Sequence, residues 1–109
     1  MKIAISSKGA GLGAWIEPDL KQAGFIMVVD EDGGFFAIEK PLDVNPDLVE
    51  HEFIKSALQE DINVFIAGSL EVDSCNLLRN KGVMIFTASK GSILELVEAY
   101  NNGQLDKME

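Results

Sequence analysis

Residues 25–38, with the sequence FIMVVDEDGGFFAI, decide the fold class because they predict two adjacent strands joined by a tight turn. The run at residues 25–30 is apolar up to its final acid, which is typical of a strand buried on both faces. Asp32-Gly33-Gly34 tolerates positive φ, and a second apolar run, residues 35–38, follows it directly. We therefore expect an antiparallel hairpin in the first half of the chain.

Outside this hairpin, apolar periodicity predicts three more strands and three helices. The strands are expected at residues 2–6, 62–67 and 83–87. The helices are expected at about residues 46–59, 72–81 and 93–100. Helices placed between strands impose parallel pairing with right-handed crossovers. The sequence therefore predicts an α/β fold with a mixed five-stranded sheet and helices on both faces.

Capping residues mark the expected helix boundaries. Asn45 before Pro46 is a helix start, and Ser92 with Glu95 forms a capping box. Gly82 and Gly103 should end the second and third helices. The polar segment 103–109 is expected to be a frayed tail of a single domain, residues 1–109. The predicted core comprises Ile5, Val28, Phe53, Val64, Ile66, Leu78, Ile85 and Val97.

Composition excludes several classes of function. A net charge of −9 with a single arginine, Arg79, argues against nucleic acid as a partner. The apolar runs are far shorter than the ~20 residues of a membrane span, and no charged leader precedes the first strand. One cysteine excludes an internal disulfide. We therefore expect a cytoplasmic protein of 109 residues that binds neither nucleic acid nor a membrane.

The glycine-rich loop at residues 9–14, GAGLGA, fits the dinucleotide pattern G-x-G-x-x-A after a strand. That mechanism needs a helix to open at the glycines, so that its N-terminus faces the pyrophosphate. Pro18 would break such a helix in its first turns. The loop is therefore interpreted as a flexible turn.

Other motifs for metal binding or catalysis are incomplete. His51 begins like a zinc-protease helix motif, but Lys55 stands where the second ligand belongs, so a surface histidine is expected. The acids at residues 30–32 fit a hairpin turn better than a calcium loop. Cys75 is expected to pack as a small hydrophobic residue, with metal binding as the alternative. No catalytic residues are predicted.

Fold logic locates a candidate binding site. If the first strand lies beside the fourth, the sheet has a switch point there, and such sheets bind ligands outside the carboxyl ends of their strands. Small residues and unpaired backbone N–H groups at this edge would form an anion cradle; the alternative is that they are only turn residues. The candidate binding residues are Ser7, Gly9, Gly11, Gly13, Gly68, Ser69, Ser89, Gly91 and Ser92.

The chain also resembles a known family along essentially its whole length. The opening strand MKIAI, the glycine loop and the strand end VVD with a following DG carry the first half of this likeness. The second half matches at INVFIAG (62–68), KGV (81–83) and GSILELVEAYNNGQL (91–105). These segments are similar to the dinitrogenase iron–molybdenum cofactor biosynthesis family, which includes the NifX-like proteins and the C-terminal domain of NifB. The pattern EAYxxGxL at residues 98–105 is its most specific part.

The resemblance implies a ribonuclease H-like motif fold with strand order 3-2-1-4-5 and strand 2 antiparallel. It also implies non-enzymatic binding or carriage of an iron–molybdenum cofactor, its precursor or another metal–sulfur cluster. A cluster donor or acceptor protein is then the expected partner. Two alternatives stay open: a cluster-free interaction module that kept the fold, and a small enzyme at the switch-point cleft.

The chain departs from the family pattern at three charged positions. Asp19 stands where the family has a histidine, and Gln22 and Asp73 stand where it has arginines. Because metal–sulfur clusters are usually anionic, we expect Asp19, Asp73 and the neighbouring Glu71 to weaken their binding.

Overall fold

The computed structural model describes residues 1–108, which form six strands and three α-helices. The strands are β1 (Lys2–Ser7), β2 (Phe25–Asp30), β3 (Phe35–Glu39), β4 (Val64–Ala67), β5 (Met84–Thr87) and β6 (Asp106–Lys107). The helices are α1 (Val49–Leu58), α2 (Val72–Asn80) and α3 (Ile93–Asn101). No helix in the described part is long and apolar enough to cross a bilayer.

The strands form one mixed sheet of order β3-β2-β1-β4-β5-β6. The pairs β1–β4 and β4–β5 are parallel, whereas β2 is antiparallel to both of its neighbours. At the centre of the sheet, Ile5 pairs with Met27 on one side and with Ile66 on the other. This confirms the predicted hairpin, the order 3-2-1-4-5 and the antiparallel second strand.

The sixth strand corrects the expectation of a frayed C-terminal tail. Asp106 and Lys107 pair antiparallel with β5, and the Met108 N–H donates to the Ile85 carbonyl at 3.0 Å. Arg79 Nη2 donates to the Met108 carbonyl at 2.8 Å. The open edge of β5 offers unpaired backbone groups, so even a polar segment gains hydrogen bonds by adding to it. Glu109 lies outside the described residues.

Two apolar layers sandwich the sheet. Successive side chains of a strand point to opposite faces, so Ala4 packs with α1 and α2 while Ile3 and Ile5 pack with α3. Helices thus cover both faces, as predicted. The predicted core residues are buried, except that Val97 is half-buried against the α3 layer.

The predicted helix ends are confirmed. Asn45 Oδ1 accepts the Asp47 N–H at 2.9 Å and caps a 3₁₀ turn, Pro46–Leu48, that continues into α1. Ser92 and Glu95 form the capping box of α3. Gly103 follows α3 with φ +70°, a left-handed conformation that favours glycine.

Glu50, in the first turn of α1, departs from the rule that charged side chains face solvent. Its side chain is buried, and Oε2 accepts the Glu71 N–H at 2.7 Å and the Ser74 hydroxyl. The N-cap residue of α2, Glu71, makes no capping bond with its own side chain. A carboxylate from α1 therefore caps α2, which satisfies donors that would otherwise be buried without a partner. His51 is exposed, as predicted.

Candidate functional site

Residues 14–19, here called the strap, cross the edge of the sheet where the carboxyl ends of β1 and β4 meet. Beside β1, the Lys8 N–H donates to the Trp15 carbonyl and the Glu17 N–H donates to the Ser6 carbonyl. Beside the start of α3, the Ile16 N–H donates to the Gly91 carbonyl at 3.0 Å. The strap therefore ties the glycine-rich loop to the segment that precedes α3.

At its far end the strap closes over the exit of β4. The Pro18 carbonyl accepts the N–H groups of Gly68 and Ser69 at 2.8 and 2.9 Å. A Cβ on Gly68 would lie 2.5 Å from Pro18 Cβ, so only glycine permits this approach. The strap thus occupies the crevice at the switch point, and the Gly68 and Ser69 N–H groups are not available to a ligand in this conformation.

Two of the predicted serines are also engaged within the protein. The Ser7 hydroxyl is buried and donates to the Gly9 carbonyl at 2.7 Å. The Ser92 N–H donates to Glu95 Oε1, and its hydroxyl oxygen accepts the Glu95 N–H, as the capping box requires. Both residues thus make hydrogen bonds that support the loops of the site.

The remaining predicted residues form two open loops, here called the rim loops: residues 8–13 and residues 89–91. Within the described part of the chain, the N–H groups of residues 10–13 and 89–91 have no hydrogen-bond partner. The first loop is held to α3 by the Leu94 N–H, which donates to the Leu12 carbonyl at 3.0 Å. Gly11, Gly13, Ser89 and Gly91 thus keep free backbone donors near the N-terminus of α3.

Gly11 and Gly13 leave space at the first rim loop. A Cβ added to either residue would meet no atom within 4 Å, and neither has positive φ. Neither packing nor backbone strain therefore requires glycine here. Their missing side chains instead leave room for a ligand to approach the N–H groups.

Two lysines give the rim loops positive charge, which the sequence reasoning did not single out. Lys8 and Lys90 are exposed, and among residues 1–108 neither lies within 4.0 Å of a carboxylate. Each lysine directly precedes a glycine, and this Lys-Gly repetition in two loops at one sheet edge was the available signal. Each ammonium can attract an anion bound at the backbone donors.

The acids expected to oppose an anion lie on the β4 side of the strap. Asp19 pairs with Ser69, and its carboxylate accepts the Lys21 N–H at 3.1 Å. Glu71 contacts the Lys21 ammonium at 3.5 Å. Asp73 lines a separate cavity of about 230 Å³ beside His51. Of these acids, only Asp19 is part of the strap.

Trp15 is a third residue that the sequence patterns did not single out. It lies between the rim loops, paired with Ser92, and 54% of its surface is exposed. An exposed aromatic side chain beside free backbone N–H groups offers an apolar contact surface to a ligand. It is the only tryptophan of the chain.

The described residues offer no set of metal ligands. No group of three or more Cys, His, Asp or Glu side chains among residues 1–108 converges to hold a metal ion. Cys75 is buried in the core, where Met108 Sδ lies 3.9 Å from its Sγ. The glycine-rich loop leads into the extended strap rather than a helix, so the geometry of a dinucleotide site is not formed.

Comparison with known proteins identifies related sequences and folds. A family model described as dinitrogenase iron-molybdenum cofactor matches residues 1–103. No curated protein matches the chain. Among similar solved structures, the apo form of the orange protein from Desulfovibrio gigas has a TM-score of 0.86 and 17% identity, and the match covers 98% of this chain and 92% of that one. A candidate NifB protein from Thermotoga has a TM-score of 0.79 and 20% identity, with 97% of this chain and 91% of that one covered. A candidate dinitrogenase from Methanocaldococcus jannaschii has a TM-score of 0.74 and 17% identity, with 100% of this chain and 95% of that one covered. At these identities the structural likeness shows the fold.

Proposed function

Because the chain belongs to the dinitrogenase iron–molybdenum cofactor family, we propose that it binds and carries an anionic metal–sulfur cluster at the rim loops, without catalysing a reaction. The iron–molybdenum cofactor or its precursor is the first candidate cargo. The observation that carries this proposal is the convergence, at one sheet edge, of N–H groups and two lysines that have no partner among residues 1–108. A donor or acceptor protein would exchange the cargo there.

The donor set favours recognition of the cluster's outer atoms. Backbone N–H groups arranged around a loop attract anions, and hydrogen bonds to an anion are stronger than those between neutral groups. We propose that the contacts are hydrogen bonds from the rim N–H groups to the cluster's sulfur and oxygen atoms; no group of three or more ligating side chains converges in residues 1–108. Such binding leaves the metals free of protein bonds, which suits a cargo that must be released.

The position of the rim loops also favours transfer. They lie at the surface, and Trp15 is exposed between them. A cluster bound there would keep one side accessible to a partner. An exposed electrostatic site is weakened by salt, so its affinity would be sensitive to ionic strength.

The test is an anaerobic titration of apo-protein with a synthetic molybdenum–iron–sulfur cluster, followed by gel filtration and visible absorbance. The double variant Lys8→Gln/Lys90→Gln removes both rim cations. We expect it to bind at least about tenfold more weakly than wild type at low salt, since a hydrogen bond to a charged group contributes about 1.5–3 kcal/mol. Lys55→Gln/Lys81→Gln is the matched control because it makes the same charge change on α1 and beyond α2.

The outcomes distinguish three cases. A loss confined to the rim variant supports the proposed site. Equal losses in both double variants would mean that only net charge matters, and the location would be wrong. If wild type retains no cluster, the carrier function is wrong, and the cluster-free interaction module takes its place.

A further inference from the structure

A groove beside the first rim loop, which contributes Leu12 to it, runs between α3 and the turn of the β2–β3 hairpin. It encloses about 260 Å³. Its apolar lining side chains are Met1, Ile3, Leu12, Val29, Leu94 and Val97, and its polar lining comes from Asp30, Glu31 and Asn101. One wall is a stripe along α3 in which Leu94, Val97 and Asn101 are spaced three and four residues apart.

Part of the exposed apolar surface of the protein lies at this groove. Nine large hydrophobic side chains are exposed in the described part of the chain, and Met1 and Leu94, 49% and 46% exposed, line the groove. Phe35, 48% exposed, is the cross-strand partner of Val29 and extends the apolar face to the edge of the sheet. Contiguous exposed apolar surface beside polar residues is typical of a protein interaction site.

The charge at one end of the groove indicates the chemistry of the partner. Asp30 and Glu31 line it and Asp32 adjoins them, whereas no lysine or arginine lines it. Among residues 1–108, the Met1 α-amino group lies 3.3 Å from the Glu31 carboxylate, and Lys2 is the cross-strand partner of Asp30. A second copy of this chain, with a net charge of −9, would bring acid against acid. Positive charge on the occupant is therefore favoured.

We propose that this groove docks a short, basic amphipathic helix of a partner protein. Its apolar side chains would fill the groove along α3, and its Lys or Arg residues would face Asp30–Asp32. The volume is below the roughly 300–1,000 Å³ typical of small-molecule pockets, so it suits one or two anchoring side chains rather than a free ligand. The proposal does not depend on the cargo of the rim loops.

The test uses a synthetic helical peptide of about 14 residues, with leucine on one face and lysine on the others. Its counterpart carries glutamate in place of every lysine. Each is titrated into isotope-labelled apo-protein while backbone amide shifts are recorded. We expect the lysine peptide to perturb α3, the hairpin turn and residues 1–3 selectively, and the glutamate peptide to bind at least about tenfold more weakly.

A matched pair of variants locates the binding site. Leu94→Gln should weaken the lysine peptide about fivefold or more, because an apolar contact is lost. Leu42→Gln is the control: Leu42 is 84% exposed and lies outside the groove. Both substitutions are at exposed positions, and the amide spectrum verifies that each variant is folded.

Three results would overturn the proposal. The first is no saturable binding of the lysine peptide to wild type. The second is a perturbation spread over all acidic surfaces, or equal affinity of Leu94→Gln and Leu42→Gln. The third is binding of the glutamate peptide as tightly as the lysine peptide, which would remove the charge argument.

Discussion

Gly103 shows how one backbone angle ends a helix. Its φ is +70°, and a Cβ there would meet no atom within 4 Å, so conformation alone decides the effect of a substitution. We predict that Gly103→Ala lowers the free energy of unfolding by about 1–2 kcal/mol in a urea titration. Gly24→Ala is the control, because Gly24 lacks positive φ; it should be neutral or slightly stabilising. A Gly103→Ala variant as stable as the control would contradict the assigned helix end.

The buried Glu50 side chain links α1 to α2 through its hydrogen bonds with Glu71 and Ser74. We predict that Glu50→Ala lowers the free energy of unfolding by about 1–3 kcal/mol, because the Glu71 N–H and the Ser74 hydroxyl lose their acceptor. Glu52→Ala, on the same helix, removes only a half-exposed contact with Lys55 at 3.7 Å and should cost about 0–0.5 kcal/mol. Equal costs in thermal or urea unfolding would show that the cross-helix cap is not formed.

Glu95 gives the start of α3 a pH dependence. The Ser92 backbone N–H, and then the Ser92 side chain, hold the pKa of Glu95 below its ordinary value of 4.5. The charged carboxylate therefore stabilises the fold above that value, and the contribution is lost as pH falls through the lowered pKa. We predict that Glu95→Gln melts below wild type at neutral pH and that the gap closes as the pH falls below 4.5 and through the lowered pKa. A gap independent of pH would contradict this role.

At the scale of elements, β4 is the strand on which the sheet assignment depends most. Ile66 is fully buried and pairs with Ile5 on one side and Phe86 on the other. We predict that Ile66→Ala lowers the free energy of unfolding by about 2–5 kcal/mol through lost transfer energy and a cavity. Val72→Ala, at an exposed position of α2, should change it by less than about 0.5 kcal/mol. An Ile66→Ala protein that melts within about one degree of wild type would contradict the assignment.

Helices and strands whose own residues carry an apolar period or a cap were predictable from the sequence. The β2–β3 hairpin and the three helices have apolar periods and caps that lie within a few residues of one another. The sixth strand has no such signal, since Asp106 and Lys107 are polar and pair only because β5 presents an open edge. The burial of Glu50 was equally hidden, because it depends on donors 21 and 24 residues away in sequence.

The meeting of the loops of the candidate site at one sheet edge was predictable from the sequence, but their hydrogen bonds were not. Switch-point logic predicted which loops would meet, because it depends only on strand order. It could not predict which N–H groups stay free, because the extended strap is stabilised by tertiary contacts such as Pro18 against Gly68. Lys8 and Lys90 were overlooked because their significance depends on the proximity of two distant loops. The binding role of the site remains a prediction.

For the whole molecule, the distribution of charge matters more than its sum. The chain has a net charge of −9, yet its rim loops contain two lysines that have no ion-pair partner among residues 1–108. The strap itself contains two acids, Glu17 and Asp19, and Asp19 pairs with Ser69 at the exit of β4. An anionic cargo would therefore be attracted locally and repelled by the surroundings, and both effects fade with salt. Replacing acids near the strap by cationic residues should therefore tighten the binding of an anionic cargo.

The most direct test is a fluorescence titration of Trp15, the only tryptophan, with a synthetic molybdenum–iron–sulfur cluster under anaerobic conditions. Wild type is compared with the triple variant Asp19→His/Gln22→Arg/Asp73→Arg at low and high salt. The account predicts saturable quenching in wild type, tighter binding by the triple variant at low salt, and loss of that gain as salt screens the added charge. No saturable quenching in either protein would contradict the proposed carrier function, and tight wild-type binding that the triple variant does not improve would contradict its electrostatic basis.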